Sequence, residues 1–175
     1  MSSLKHITLT GLPGKLMAST QKKYEMKLEI ESVLILLRIG FDITTVDGRR
    51  GVLARTLNET PPQQQTKYKV GQYVVFPTEF ENLVVPLFER ETKVMIIDEI
   101  GKMESFSQKF KNIVQTYYKK PNVLILATIP LRKTKISFIE SIRENPEAKL
   151  FIIDKSSRNT LDKDIFRQIL AIVNT

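Results

Sequence analysis

The 175-residue chain is 42% hydrophobic, which suits a single domain over residues 1–175, and no apolar run is long enough for a membrane helix. Cysteine is absent and His6 is the only histidine, which excludes disulfides and argues against a zinc site. The net charge of +8 favours a polyanionic partner, but lysines gather only in short clusters such as Lys22-Lys23 and Lys119-Lys120, so nucleic acid is not the expected one.

Residues 7–10 alternate Ile7-Thr8-Leu9-Thr10 and read as a strand, which stops at Gly11-Leu12-Pro13-Gly14. Over residues 15–38, Met26, Ile30, Val33, Leu34 and Leu37 share a helical face, and helix is expected for most of the segment. Met26, Leu28 and Ile30 also alternate with charged residues, as a strand would. Residues 39–46 and 51–57 read as two arms of a hairpin around Asp47-Gly48. An exposed loop follows, with Pro61-Pro62 and a glutamine run. Residues 68–75 read as one strand. Thr78-Glu79-Phe80-Glu81 has the form of a capping box, and the helix it opens should kink or stop at Pro86.

The second half alternates clearly. Val94-Met95-Ile96-Ile97, residues 123–127 and Leu150-Phe151-Ile152-Ile153 are apolar runs of the buried type. Between them, Phe106, Phe110, Ile113, Val114 and Tyr117 mark one helix, and Phe138, Ile139 and Ile142 a shorter one. Thr160 is placed to cap a last helix carrying Leu161, Ile165, Ile169 and Val173. Buried strands separated by helices predict an α/β fold with a mainly parallel sheet covered on both faces, plus the antiparallel hairpin.

Asp98 and Glu99 end the first buried run. An aspartate at a strand end can hold the magnesium that bridges nucleotide phosphates, and a following glutamate can activate water. The same two acids would equally start a loop or cap a helix. Gly11, Leu12, Pro13, Gly14 and Lys15 stand where a phosphate loop belongs, after a strand and before the expected helix. The spacing G-x-x-x-x-G-K-[ST] is not met. Counted from Gly11, the Gly, Lys and hydroxyl positions hold Leu16, Met17 and Ala18; with Gly14-Lys15 as the pair, the hydroxyl position holds Leu16. Ser19 and Thr20 come about one turn too late. Spacing alone therefore reads as a plain strand-to-helix turn. Thr128 is a candidate contact for phosphate or water, and Arg158 and Asn159 for base or ribose; each has an ordinary structural reading beside it. Lys102 and Glu104 can support the two acids.

Taken together, Thr10-Gly11-Leu12-Pro13-Gly14, Ile39-Gly40-Phe41-Asp42, Arg50-Gly51, Val70-Gly71-Gln72-Tyr73-Val74-Val75, Val94-Met95-Ile96-Ile97-Asp98-Glu99-Ile100-Gly101-Lys102-Met103-Glu104, Ala127-Thr128-Ile129-Pro130 and Ser157-Arg158-Asn159 resemble the cancer-related nucleoside triphosphatase family, the THEP-type P-loop NTPases. The resemblance implies a RecA-like P-loop fold. It also implies slow, magnesium-dependent hydrolysis of ATP, GTP and other nucleoside triphosphates with broad base tolerance. Asp98 would hold Mg2+ through water, Glu99 would activate the attacking water, and Gly11, Gly14 and Lys15 would be what remains of the phosphate cradle. A monomer in the cytoplasm is expected, without membrane attachment. The chain departs from the family between Gly14 and Ile39, where the Val-Gly-Lys-Thr-Thr continuation and a strand beginning near Gly-Phe-Tyr are missing. That leaves doubtful turnover, or a catalytically impaired nucleotide-binding or interaction module of the same fold. A nucleotide kinase fits less well, since no second substrate site or lid is recognisable.

Overall fold

A computed structural model describes residues 4–11, 30–37, 39–154 and 158–173. In chain order the elements are β1 (His6–Gly11), β2 (Ile30–Leu37), β3 (Gly40–Thr45), β4 (Arg50–Thr56), β5 (Lys69–Val70), β6 (Tyr73–Val75), α1 (Pro77–Val84), β7 (Val94–Ile97), α2 (Gln108–Tyr117), β8 (Leu124–Pro130), α3 (Ser137–Arg143), β9 (Ala148–Ile153) and α4 (Arg158–Val173). Among the described residues they build a nine-stranded sheet of order β5-β6-β4-β3-β2-β7-β8-β1-β9. From β2 to β9 every neighbouring pair is parallel; from β2 to β5 every pair is antiparallel. The antiparallel part is thus a half-sheet, larger than the hairpin expected.

Alternation in the strands sends side chains to two cores. Met95, Ile97, Ile125 and Ala127 face α1, α2 and α3, where Phe80, Phe110, Val114, Phe138 and Ile139 close over them. Val94, Ile96, Leu124 and Leu126 face the other way, with Ile7, Leu9 and Phe151, against Ile165 and Ile169 of α4. Phe110 is 1% exposed, and its ring meets those of Phe80, Phe88 and Phe138. Among the described residues no helix is long and apolar enough to cross a membrane.

Several expectations need correction. Residues 30–37 form strand β2, not helix; residues 15–29 lie outside the described residues. Pairing decides it: Ile30–Val33 run beside β7 and Val33–Leu37 beside β3, which suits a strand better than a one-faced helix. β2 thereby fills the place beside β7 despite the missing Gly-Phe-Tyr signature. Residues 68–75 split at Gly71, whose φ of +56° turns the chain back between β5 and β6. The capping box does not form. Pro77 takes the first turn of α1, Phe76 precedes it without a side-chain cap, and Thr78 sits inside the helix. The stop at Pro86 does occur: α1 ends at Val84 and a 3-10 turn, Val85–Glu89, continues. β9 is an edge strand whose Ile152 is 63% exposed, so that run is buried on one face only. Thr160 lies within α4, which begins earlier, at Arg158.

His6 ties three elements together. Its Nε2 donates to the Tyr118 carbonyl after α2, at 3.0 Å. Its Nδ1 accepts from the Ile125 amide of β8, at 3.2 Å. An amide only donates, so the proton must sit on Nε2 and the ring must be neutral. Burial holds the His6 pKa below its ordinary value, against the smaller pull of the Tyr118 carbonyl. The stability His6 confers is therefore complete above the unfolded pKa and is lost as pH falls through the folded one. The urea midpoint is expected to decline on acidification below pH of about 6.5. A His6→Gln variant should lose that component of the decline, and identical pH curves for the two chains would exclude this source.

Candidate active site

β7 ends at Ile97, opposite Ala127 of β8 in parallel register. The next residues are Asp98 and Glu99, at the carboxyl end of the sheet, where open α/β folds place ligands. Thr128 locks them. Its Oγ1 donates to Asp98 Oδ1 at 2.9 Å and accepts from the Glu99 amide at 2.5 Å, while its carbonyl accepts from the Ile100 amide at 2.8 Å. Glu99 has φ of +70°, the one non-glycine residue with positive φ among the described residues. That conformation costs a non-glycine residue about 1–2 kcal/mol, and the bonds to Thr128 hold it.

Asp98 is half-buried and Glu99 opens to solvent. Desolvation raises the Asp98 carboxyl above its usual range, and the Thr128 hydroxyl offsets part of the rise. Glu99 is raised too, by the protein around it and then by the neighbouring Asp98 charge. A base moved upward in this way is better matched to taking a proton near neutrality.

Gly11 ends β1 beside Pro130 of β8 and Ile153 of β9. Since β8 alone separates β1 from β7, Gly11 lies laterally about 10 Å from Asp98 at the strand spacing of a sheet. The Pro130 carbonyl gathers this end of the sheet. It accepts from Thr10 Oγ1 at 3.0 Å and from an Arg143 guanidinium nitrogen at 2.5 Å. Leu12, Pro13, Gly14 and Lys15 lie outside the described residues. Arg158 and Asn159 open α4 after β9, on the same side of the sheet as Gly11. The structure therefore joins Asp98, Glu99 and Thr128 directly and places Gly11 one strand further across.

Two members of this group were not legible as such. Thr128 was read as a phosphate or water contact, yet its hydroxyl is already both donor and acceptor within the protein. Gly101 gave no signal beyond following the acidic pair. A Cβ there would lie 3.0 Å from Glu104 Oε2 and 3.7 Å from the Glu99 side chain.

Thr128→Val keeps the shape but strands the Glu99 amide and one Asp98 oxygen. A cost of about 1–3 kcal/mol is expected in thermal unfolding. Asp98 should also titrate higher than in the parent chain, because the bond that lowers it is gone. A carboxyl NMR titration checks this, and an unmoved Asp98 would contradict the assigned bond.

This geometry has close counterparts. The family model described as NTPase matches residues 36–166. The human protein named cancer-related nucleoside-triphosphatase is 37% identical, over 92% of this chain and 94% of that protein. Nucleoside-triphosphatase THEP1 of Aquifex aeolicus is 33% identical, over 91% of this chain and 96% of that protein. The crystal structure of the Aquifex THEP1 superposes with a TM-score of 0.80, covering 94% of this chain and 98% of that one, at 33% identity. The solution structure of the human cancer-related nucleoside triphosphatase also gives 0.80, covering 95% and 98%, at 34% identity. Fold and sequence both match over most of the length, and the chain belongs to the NTPase family, with the THEP1-like P-loop fold.

Proposed function

We propose that this chain hydrolyses nucleoside triphosphates to the diphosphate and phosphate, with magnesium and little selectivity for the base. The observation that carries the reading is the Asp98-Glu99 pair at the end of β7, keyed to the Thr128 hydroxyl. Glu99 takes the proton of the attacking water. Asp98 suits a magnesium ion: it is a half-buried carboxylate whose second oxygen has no partner among the described residues, and magnesium needs only one or two carboxylates beside phosphate oxygens and water. When bound, magnesium neutralises the charge on the transferring phosphoryl group. Thr128 holds both acids and does not touch phosphate. Gly11 to Lys15 would supply backbone amides for the phosphates, and Arg158 and Asn159 would meet the base or ribose. All these residues belong to one chain, so the reading needs no second copy. Tolerance for the base, with ATP and GTP both as substrates, rests on the family resemblance.

The loop spacing favours a second reading. Leu16 or Ala18 stands where the hydroxyl that meets magnesium belongs, and such catalysis is mostly positioning and charge neutralisation. Slow turnover is expected, and its complete loss would leave a nucleotide-binding or interaction module. Phosphate release from ATP, GTP, CTP and UTP, with and without magnesium, tests the first reading. Release should require magnesium and vary among bases by no more than about tenfold, or 1.4 kcal/mol. Calorimetry with a non-hydrolysable triphosphate separates the two readings. Micromolar binding would mean that the loop still cradles phosphate, so that turnover then decides between hydrolase and nucleotide-binding module, whereas a folded chain that binds nothing at millimolar ligand leaves only the interaction module.

A further inference from the structure

We propose that Glu104 is a positioning residue, whose buried carboxyl clamps the Gly101 amide and so fixes the turn that carries Asp98 and Glu99. The inference rests on the hydrolase reading of that turn. Glu104 is 4% exposed, which is unusual for an acid with no cation beside it among the described residues. Its Oε2 accepts from the Gly101 amide at 2.9 Å. The Gly101 carbonyl in turn accepts from the Ser105 amide at 3.2 Å and from Ser105 Oγ at 2.6 Å.

These bonds complete a series. The amides of Glu99 and Ile100 end on Thr128, and the next amide, that of Gly101, ends on Glu104. Three successive N–H groups are thus committed on two sides of the turn, one side being β8 and the other the 3-10 turn Glu104–Phe106. A turn gripped at only one end would leave the Glu99 side chain free to swing. Gly101 is the contact point: the space its missing Cβ would fill lies between Glu104 Oε2 and the Glu99 side chain.

The surroundings explain why only an acceptor serves here. Glu104 shares a small cavity with Phe80, Phe110, Ile97 and the two site acids. Burial in this apolar setting pushes its carboxyl up to about 8; the Glu99 charge adds to the rise, and its own amide and that of Gly101 oppose it. Glutamine is a close copy, since it keeps the size of the side chain and an oxygen that can accept from the Gly101 amide. An apolar residue would fill the space as well but leave the Gly101 amide buried without a partner.

The test uses the whole chain with Glu104→Ala and Glu104→Gln. Amide exchange at Gly101 is followed by NMR, and kcat and KM by phosphate release. Glu104→Ala should exchange Gly101 at least about tenfold faster, a local opening easier by about 1.4 kcal/mol. It should lower kcat by about tenfold with KM held within about twofold, the pattern of an interaction felt in the transition state. Glu104→Gln should restore both. Unchanged Gly101 exchange in Glu104→Ala overturns the clamp, whatever the turnover. If Glu104→Ala does not fold, Glu104→Gln decides alone: parent-like exchange and kcat support the clamp, and lost kcat with a protected Gly101 overturns it. A parent chain without turnover would sink the hydrolase reading, while the exchange result would still decide whether Glu104 holds the turn.

Discussion

Replacing Glu99 with glutamine is expected to slow phosphate release by about 10²- to 10⁴-fold, the contribution of a general base. Affinity for a triphosphate analogue should hardly change, since glutamine keeps the size and polarity of the side chain and removes only its ability to take a proton. A parallel Glu99→Gly variant separates chemistry from structure. Glu99 holds φ of +70°, a conformation that glycine adopts without steric cost. Glycine here should abolish turnover yet leave stability unchanged or raise it by about 1 kcal/mol. Strain relieved as function is lost marks a backbone held for the reaction. A Glu99→Gly chain clearly less stable than its parent would refute that account, and full turnover in Glu99→Gln would refute the base.

Truncating Phe110 to alanine is expected to cost about 3–5 kcal/mol, the usual penalty for emptying an aromatic site in a core. Its ring meets Phe80 of α1, Phe88 of the 3-10 turn and Phe138 of α3, so the hole opens where three elements converge. At about 2–4 °C per kcal/mol for a chain of this size, the melting temperature should fall by about 6–20 °C. Ser107 limits how far α2 can settle into the gap. Its hydroxyl accepts from the Phe110 amide at 3.0 Å and donates to Glu81 of α1 at 2.7 Å, holding the helix start against its neighbour. A loss below about 1 kcal/mol would mean that the three aromatic neighbours collapse into the space.

The parallel half of the sheet was legible because Val94–Ile97 and the run at Leu124 are apolar at successive positions, a pattern that strands buried on both faces require. Asp98 and Glu99 stand out because they directly follow such a strand, although the same pattern equally starts a loop or caps a helix. β2 was misread because Ile30, Val33, Leu34 and Leu37 satisfy a helical period as well as a strand, and only pairing with β3 and β7 decides. The capping box failed on local competition, since Pro77 fits the first helical turn better than Thr78 fits the cap. Thr128 and Glu104 were named for what their types could reach, not for what holds them. The partners of Thr128 lie just past the end of a neighbouring strand, and no sequence pattern gives that register. The burial of Glu104 arises from Phe80 and Phe110 of separate helices closing around it. The loop after Gly11 was judged by spacing, and its residues 12–15 lie outside the described part.

The pairing of Ile97 with Ala127 makes the site a gauge of strand alignment. Thr128 reaches both acids only in that alignment. A slip of two residues would keep every side chain on its proper face and every ladder bond of the parallel pair, yet move Thr128 about 6.6 Å along the sheet. Such a molecule would look native by circular dichroism and carry no assembled site. In a refolding experiment, recovered turnover would therefore count correctly aligned chains, recovered ellipticity would count all ordered ones, and the gap between the two yields would measure misalignment at a single pair of strands.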